Sequence, residues 1–109
     1  MRILVDESLP LILARELPVP EVSTVRAERW LGLRNGLLLR AAVDRGFRVL
    51  VTADGALRHQ QNLVAIGIGV VLVTGVRNRI QDLRPLIPRI VAAVATVEAG
   101  QLIEITTSR

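Results

Sequence analysis

The residue pattern predicts an α/β fold, a three-layer α/β/α sandwich around a mostly parallel central sheet of four to five strands. Three observations carry that reading. Short apolar, β-branched runs alternate with stretches of helical periodicity in the order β-α-β-α-β-α-β-α-β. Strands separated by helices need crossover connections, which make them parallel. Residues 47–51 are apolar almost throughout, as a strand covered on both faces is. The chain has 109 residues, 50% of them hydrophobic. That is enough for one core and too little for a second, so residues 1–109 read as a single domain.

Each element has a local justification. Residues 2–5 form a short buried strand. Residues 9–17 follow as a helix, with Ser8 or Glu7 near its cap and Pro10 tolerated in the first turn, where a missing N–H costs nothing. Pro18-Val19-Pro20 breaks the helix, and the alternating residues 21–25 make a second strand. Residues 27–30 suit one helical turn. Asn35 is placed to cap a second helix over 36–45, which Gly46 closes. After the strand at 47–51 comes a helical piece around 56–59, then a fourth strand at 67–73. A long helix is expected over 83–98, with Pro88 either kinking it or delaying its start. Gly100 ends that helix, 102–105 is a last strand, and 106–109 is a polar tail.

Composition removes several classes of chemistry. There is no cysteine, which excludes disulfide frameworks and thiolate metal sites, and the single His59 excludes an imidazole cluster. Any bound metal must be held by oxygen, which favours magnesium or manganese over zinc. All 14 basic residues are arginine and the net charge is +4. A GC-rich coding sequence produces the same arginine usage, but the charge also suits a polyanion such as RNA, because guanidinium pairs bidentately with phosphate. Trp30 and Phe47 are the only aromatic residues, so an aromatic stacking platform is not expected. The first residues do not read as an export signal, and no apolar run approaches the roughly 20 residues of a membrane span. A cytoplasmic protein without a membrane partner is expected.

In open parallel sheets the functional crevice lies at the carboxyl ends of the strands. The first strand ends in Asp6-Glu7, the third in Thr52-Ala53-Asp54, and the fourth in Thr74-Gly75 with Arg77-Asn78-Arg79 beyond. Two aspartates reaching one edge from two apolar strands suit metal-assisted phosphodiester hydrolysis, in which converging carboxylates hold the ion. Arg77 and Arg79 are placed to grip flanking phosphates. The competing reading of Asp6 and Asp54 is helix capping, and of Glu7 a favourable charge in a first turn. Asp44 and Glu98 read as solvated charges and Asp82 as a cap. His59, Gln61 and Asn62 lie in a polar loop that either contacts RNA or is braced by its own amides. No phosphate-cradling loop is present, and the Gly67-Ile68-Gly69 pattern precedes a strand rather than a helix.

The segments "MRILVDESLP", "VLVTADGAL" and "HQQNL", with "GLRNGLLLRAA" and "VRNRIQDLRPLIP", resemble the small bacterial PIN-like domain family of unknown function across essentially the whole chain. The resemblance implies a PIN-like α/β fold and a magnesium-dependent ribonuclease, many such domains being toxin halves of toxin–antitoxin pairs. On that pattern Asp6 and Asp54 match the family's acidic positions, and Glu7 the position after the first acid. Thr52 matches the Thr of its VTxD motif, whose hydroxyl orients Asp54 or a metal-bound water. One position departs. Asn35 stands where the family commonly has Asp, and an amide offers a neutral oxygen while removing a negative charge.

Two functional readings follow. The first is a magnesium- or manganese-dependent ribonuclease, in which Asp6 and Asp54 bind the ion, Asn35 and Glu7 assist and Thr52 supports. Its RNA contacts are His59, Gln61, Asn62, Arg77, Asn78 and Arg79. The second is a catalytically impaired module that binds protein or nucleic acid. It draws on Asn35 and on the apolar residues of the last helix, among them Leu86, Ile90 and Val94. An exposed stripe there would seat an antitoxin or a second copy of the chain, whereas a buried one would only cover the sheet. A phospho-receiver is argued against by the absence of lysine.

Overall fold

Alternate residues along each apolar run are buried on opposite sides of one sheet, which is why the runs show no polar face. Ile3, Val5, Val49, Val51, Val71 and Val73 join one apolar cluster, while Leu4, Leu50 and Val70 join another. The structure, a computed structural model, describes residues 2–60 and 62–106. Its strands are β1 (Arg2–Val5), β2 (Val22–Thr24), β3 (Phe47–Thr52), β4 (Gly69–Thr74) and β5 (Leu102–Thr106). Neighbouring strands are all parallel, in the order β2-β1-β3-β4-β5.

The helices are α1 (Leu11–Glu16), α2 (Asn35–Asp44), α3 (Leu63–Ile66), α4 (Ile80–Leu83) and α5 (Ile87–Thr96), with 3₁₀ turns at Gly55–His59 and Arg84–Leu86. Leu13 of α1, Leu83 of α4 and Ile90, Ala93 and Val94 of α5 complete the first cluster. Leu38, Leu39 and Ala42 of α2, Leu57 of the 3₁₀ turn and Leu63 of α3 complete the second. Helices therefore cover both faces, as the alternation of elements predicts. Burial of each such Leu, Ile or Val side chain stabilises the fold by about 1.5–3 kcal/mol.

Several local expectations change. Residues 27–30 form no helical turn: 27–29 are turns, with Arg29 at φ +65°. The last helix ends at Thr96, so Gly100 does not close it. The helix expected over 83–98 is three elements, because Pro88 has no N–H and its ring collides with the carbonyl four residues back. Pro88 consequently sits in the first turn of α5, after a 3₁₀ turn that contains Pro85. Asp82 is not a cap but lies inside α4, paired with Arg79 at 3.0 Å. Gly67 does not open a strand: its φ of +84° closes α3, a short helix with too few residues to show a period. Asn35 is the first residue of α2 rather than its cap, a position held by Arg34. On α5, Ile90, Ala93 and Val94 are buried, and Ile87, Val91 and Val97 pack against the same cluster. That helix covers the sheet, and its apolar side chains form no free stripe. Of the expected polar tail, Thr106 ends β5 and 107–109 lie outside the described residues.

The strand order positions the site. From β1 the chain passes to β2 on one side and then returns to β3 on the other. The connections therefore diverge between β1 and β3, and open α/β sheets leave a crevice above such a point. Among the described residues, no helix is long and apolar enough to cross a membrane.

Candidate functional site

The crevice takes its two aspartates from just beyond the ends of β1 and β3. Val5 and Val51 are register partners, and the Asp6 N–H continues the ladder by donating to the Val51 carbonyl at 2.9 Å. This places the Asp6 carboxylate beside Thr52, which is fully buried, with Asp6 itself 8% exposed. Asp6 Oδ2 accepts from Thr52 Oγ1 at 2.8 Å and from Ser8 Oγ at 2.7 Å. Each hydroxyl has one hydrogen, so the 3.3 Å approach of Ser8 Oγ to Thr52 Oγ1 joins two donors already engaged by Asp6. Their lone pairs are used as well: Ser8 Oγ accepts from Ala53 N and Thr52 Oγ1 from Asp54 N, both at 3.0 Å. The ends of β1 and β3 are thus laced together. Asp6 does not cap α1, whose cap position is Pro10.

Asp54 caps and also faces the crevice. Its Oδ1 accepts from the Ala56 N–H at 3.0 Å, starting the 3₁₀ turn, and its Oδ2 accepts from Asn35 Nδ2 at 3.2 Å. Asn35 reaches across from α2 because a carboxylate is a stronger acceptor than any group its amide meets locally. Glu7, exposed, accepts from the Gly32 N–H at 3.1 Å and so ties down the loop that leads into α2. That loop turns at Gly32 with φ +84°, a conformation costly to residues with a Cβ.

Asp6, Glu7, Ser8, Gly32, Leu33, Arg34, Asn35 and Asp54 line a cleft of about 730 Å³. Of the residues singled out in the sequence, it gathers Asp6, Glu7, Asn35 and Asp54, with Thr52 bonded to Asp6 from within the core. His59 and Asn62, near the start of α3, are exposed and off its lining, as are Arg77, Asn78 and Arg79 beyond β4. Gln61 lies outside the described residues. Ser8 was expected only near the cap of the first helix, with Glu7 as the alternative cap; Pro10 takes that position without a side-chain cap bond. Arg34 was not singled out in the sequence. Ser8 carried a weak signal, an Asp-x-Ser spacing at a strand end; Arg34 carried none beyond its place before Asn35.

No family model, curated protein or solved structure matches the chain. The chemistry of the cleft is therefore read from its own groups.

Three carboxylates and one guanidinium line it, and every available ligand atom for a cation is oxygen. Among the described residues, Asp6 Oδ1 and Asn35 Oδ1 accept no side-chain or backbone hydrogen bond. No group of three or more Asp, Glu or His side chains is gathered closely enough to enclose an ion among the described residues. A hard cation that keeps several of its own waters needs no such cage, and an open, all-oxygen set fits magnesium or manganese by ligand type.

Further along the same sheet edge, Glu104 of β5 accepts from Arg58 Nε and Nη2, both at 2.8 Å, and from Thr74 Oγ1 at 2.8 Å. The Arg58 hydrogen bonds first, and then that of Thr74, push its carboxyl down to about 2. This staple joins the turn after β3 to β4 and β5, and it engages Arg58 away from the cleft.

Proposed function

We propose that the cleft is the active site of a magnesium- or manganese-dependent ribonuclease. The observation that carries this reading is the meeting of Asp6 and Asp54 at the divergence of the connections between β1 and β3. Asp6 and Asp54 would hold the ion, with Asn35 Oδ1 and Glu7 as further oxygens. When bound, such an ion supplies Lewis-acid polarisation of a phosphodiester and acidifies water for the attack.

The chain's own groups prepare that chemistry. Ser8 and Thr52 direct both hydroxyl hydrogens onto one oxygen of Asp6, which fixes the carboxylate and leaves Oδ1 to the cleft. The Asn35 amide offsets part of the charge on Asp54. Arg34 stands at the lip, where its planar fork matches a phosphate. A role as the toxin of a toxin–antitoxin pair, in the cytoplasm, belongs to this reading. Leu31, Leu33 and Leu37, exposed on the neighbouring loop and helix, are the apolar surface that an antitoxin would cover.

The bond from Asn35 to Asp54 favours a second reading, a catalytically impaired binding module, since it satisfies Asp54 without an ion. Asp54→Asn separates the two. The variant keeps an acceptor for the Ala56 N–H and so keeps the turn, while losing a charged ligand. Magnesium-dependent cleavage of single-stranded RNA is expected to fall by roughly 100-fold or more, and EDTA to abolish wild-type cleavage. Wild-type cleavage that persists in EDTA, together with full activity of Asp54→Asn, excludes this active site.

A further inference from the structure

We propose that the cleft continues as a track for single-stranded RNA, with one nucleobase seated in the apolar hollow beside Asp6 and Glu7 and the flanking phosphates held by Arg26 and Arg34. The proposal deepens the ribonuclease reading and rests on it. The hollow, about 220 Å³, is walled chiefly by Val5, Leu9, Pro10, Leu11, Val25 and Leu31, with Thr24 and Arg26 at its rim. Pockets for drug-sized ligands run from about 300 to 1,000 Å³, so this one suits a single ring system. It shares Asp6 and Glu7 with the acidic cleft, and a base bound there belongs to a nucleotide adjoining the reacting phosphate.

The track extends further. A third depression, about 410 Å³, shares Leu11, Thr24 and Arg26 with the hollow and adds Arg15. Each depression thus carries an arginine: Arg34, Arg26 and Arg15 in turn. Among the described residues, none of these three guanidinium groups has a hydrogen-bond or ion-pair partner. Arg2 and Arg45 pair with Glu28, Arg58 with Glu104, Arg79 with Asp82 and Arg84 with Glu16. The guanidinium groups of Arg29, Arg40, Arg48 and Arg77 also lack a partner among the described residues. What sets Arg34, Arg26 and Arg15 apart is their place along three depressions that adjoin one another through shared lining residues.

Free cations alternating with apolar hollows complement a single strand, whose phosphates are charged and whose bases are flat and apolar on their faces. Apolar side chains can sandwich a base where aromatic rings are lacking. Leu11 and Leu31, each 47% exposed, are the side chains that a base would cover. A protein segment would use the leucines but leave the spacing of the arginines unexplained.

The test uses the full chain in EDTA, so that binding is read without cleavage. Fluorescence anisotropy compares an eight-nucleotide single-stranded RNA with versions carrying one abasic position each. An abasic site at one position is expected to weaken binding about five-fold or more, and at most other positions much less. Arg26→Ala is expected to weaken binding to all sequences and to lower the salt dependence by about one phosphate contact. Leu31→Asp, at an exposed position that leaves folding intact, is expected to reproduce the loss at the sensitive position. Equal binding of every abasic RNA, or wild-type affinity in both variants, overturns the track. Metal-dependent cleavage that is indifferent to abasic sites overturns the track and leaves the ribonuclease reading standing. An abasic-sensitive position with no cleavage in magnesium supports the track and removes the ribonuclease reading. A change in solution mass on Leu31→Asp with unchanged RNA affinity assigns the leucines to a second copy and also overturns the track.

Discussion

The hydroxyl of Thr52 donates to Asp6 Oδ2 at 2.8 Å, while its oxygen accepts the backbone N–H of Asp54 at 3.0 Å. One buried side chain therefore braces the two acids of the cleft. Thr52→Val keeps the shape, removes both bonds and leaves a backbone donor without its acceptor. A loss of about 2 kcal/mol is expected, and a melting temperature lower by roughly 8 °C. Thr52→Ser keeps the hydroxyl and loses a methyl group, at about 1 kcal/mol. Urea denaturation of both variants checks this, and equal stability of Thr52→Val and wild type would show that the hydroxyl contributes nothing.

On the proposed metal-dependent reading, Asn35 is the position whose charge sets the ion's affinity. Asn35→Asp replaces a donated N–H with a second carboxylate facing Asp54. Without divalent cations the variant is expected to be about 1 kcal/mol less stable than wild type. With millimolar manganese it is expected to gain more in melting temperature than wild type does. A ten-fold tighter site adds about 1.4 kcal/mol once it is saturated. Thermal unfolding with and without manganese measures both effects. An identical manganese response in the two proteins would remove Asn35 from the ion's surroundings.

The Glu104 staple gives a pH dependence with a definite sign. Its carboxyl stands at about 2 in the folded chain, against an ordinary value of 4.5. A depressed folded-state value means stabilisation that is complete above about 4.5 and is lost as the pH falls toward 2. Glu104→Gln is therefore expected to be less stable than wild type near neutral pH, with the gap closing between those values. The ion pair is exposed, so added salt should narrow the gap at neutral pH. Unfolding midpoints across pH 2–7 test the pair, and a gap that widens on acidification would contradict the assignment.

Two glycines should respond to alanine in opposite directions. Gly100 has φ +84°, and a Cβ there would lie 2.8 Å from Val64 Cα, a backbone atom that cannot swing away. Gly100→Ala is expected to cost about 2 kcal/mol. Gly36, in the first turn of α2, has open space where its Cβ would stand. Gly36→Ala is expected to stabilise by about 0.5 kcal/mol, because alanine loses less backbone freedom on folding. Chemical denaturation of the two variants gives both signs directly.

Asp6 and Asp54 were legible in the sequence because a charge that ends an apolar run can be seen without knowing what surrounds it. Arg77, Asn78 and Arg79 ended a strand by the same rule, yet they lie off the cleft. The rule identifies an edge of the sheet but not a place along it. The arginines that border the cleft and the two depressions beside it, Arg15, Arg26 and Arg34, follow no motif: Arg15 comes from the last turn of α1, and Arg26 and Arg34 from the loop between β2 and α2. The last helix shows the converse. Its apolar residues were plain, but whether they faced a partner or the sheet depended on packing that no local pattern encodes.

The sequence by itself determined the alternation of elements, the parallel sheet with helices on both faces and the delivery of two aspartates to one edge. These are local signals, set by residue period, by apolar runs and by proline and glycine. Tertiary structure decided the strand order, and with it the site's position between β1 and β3. It also decided the distant partner of each carboxylate in the cleft: Thr52 for Asp6, Asn35 for Asp54, Gly32 for Glu7. Those pairings join residues 19 to 46 positions apart, and they form only once the crossovers have packed the two helical layers against the sheet.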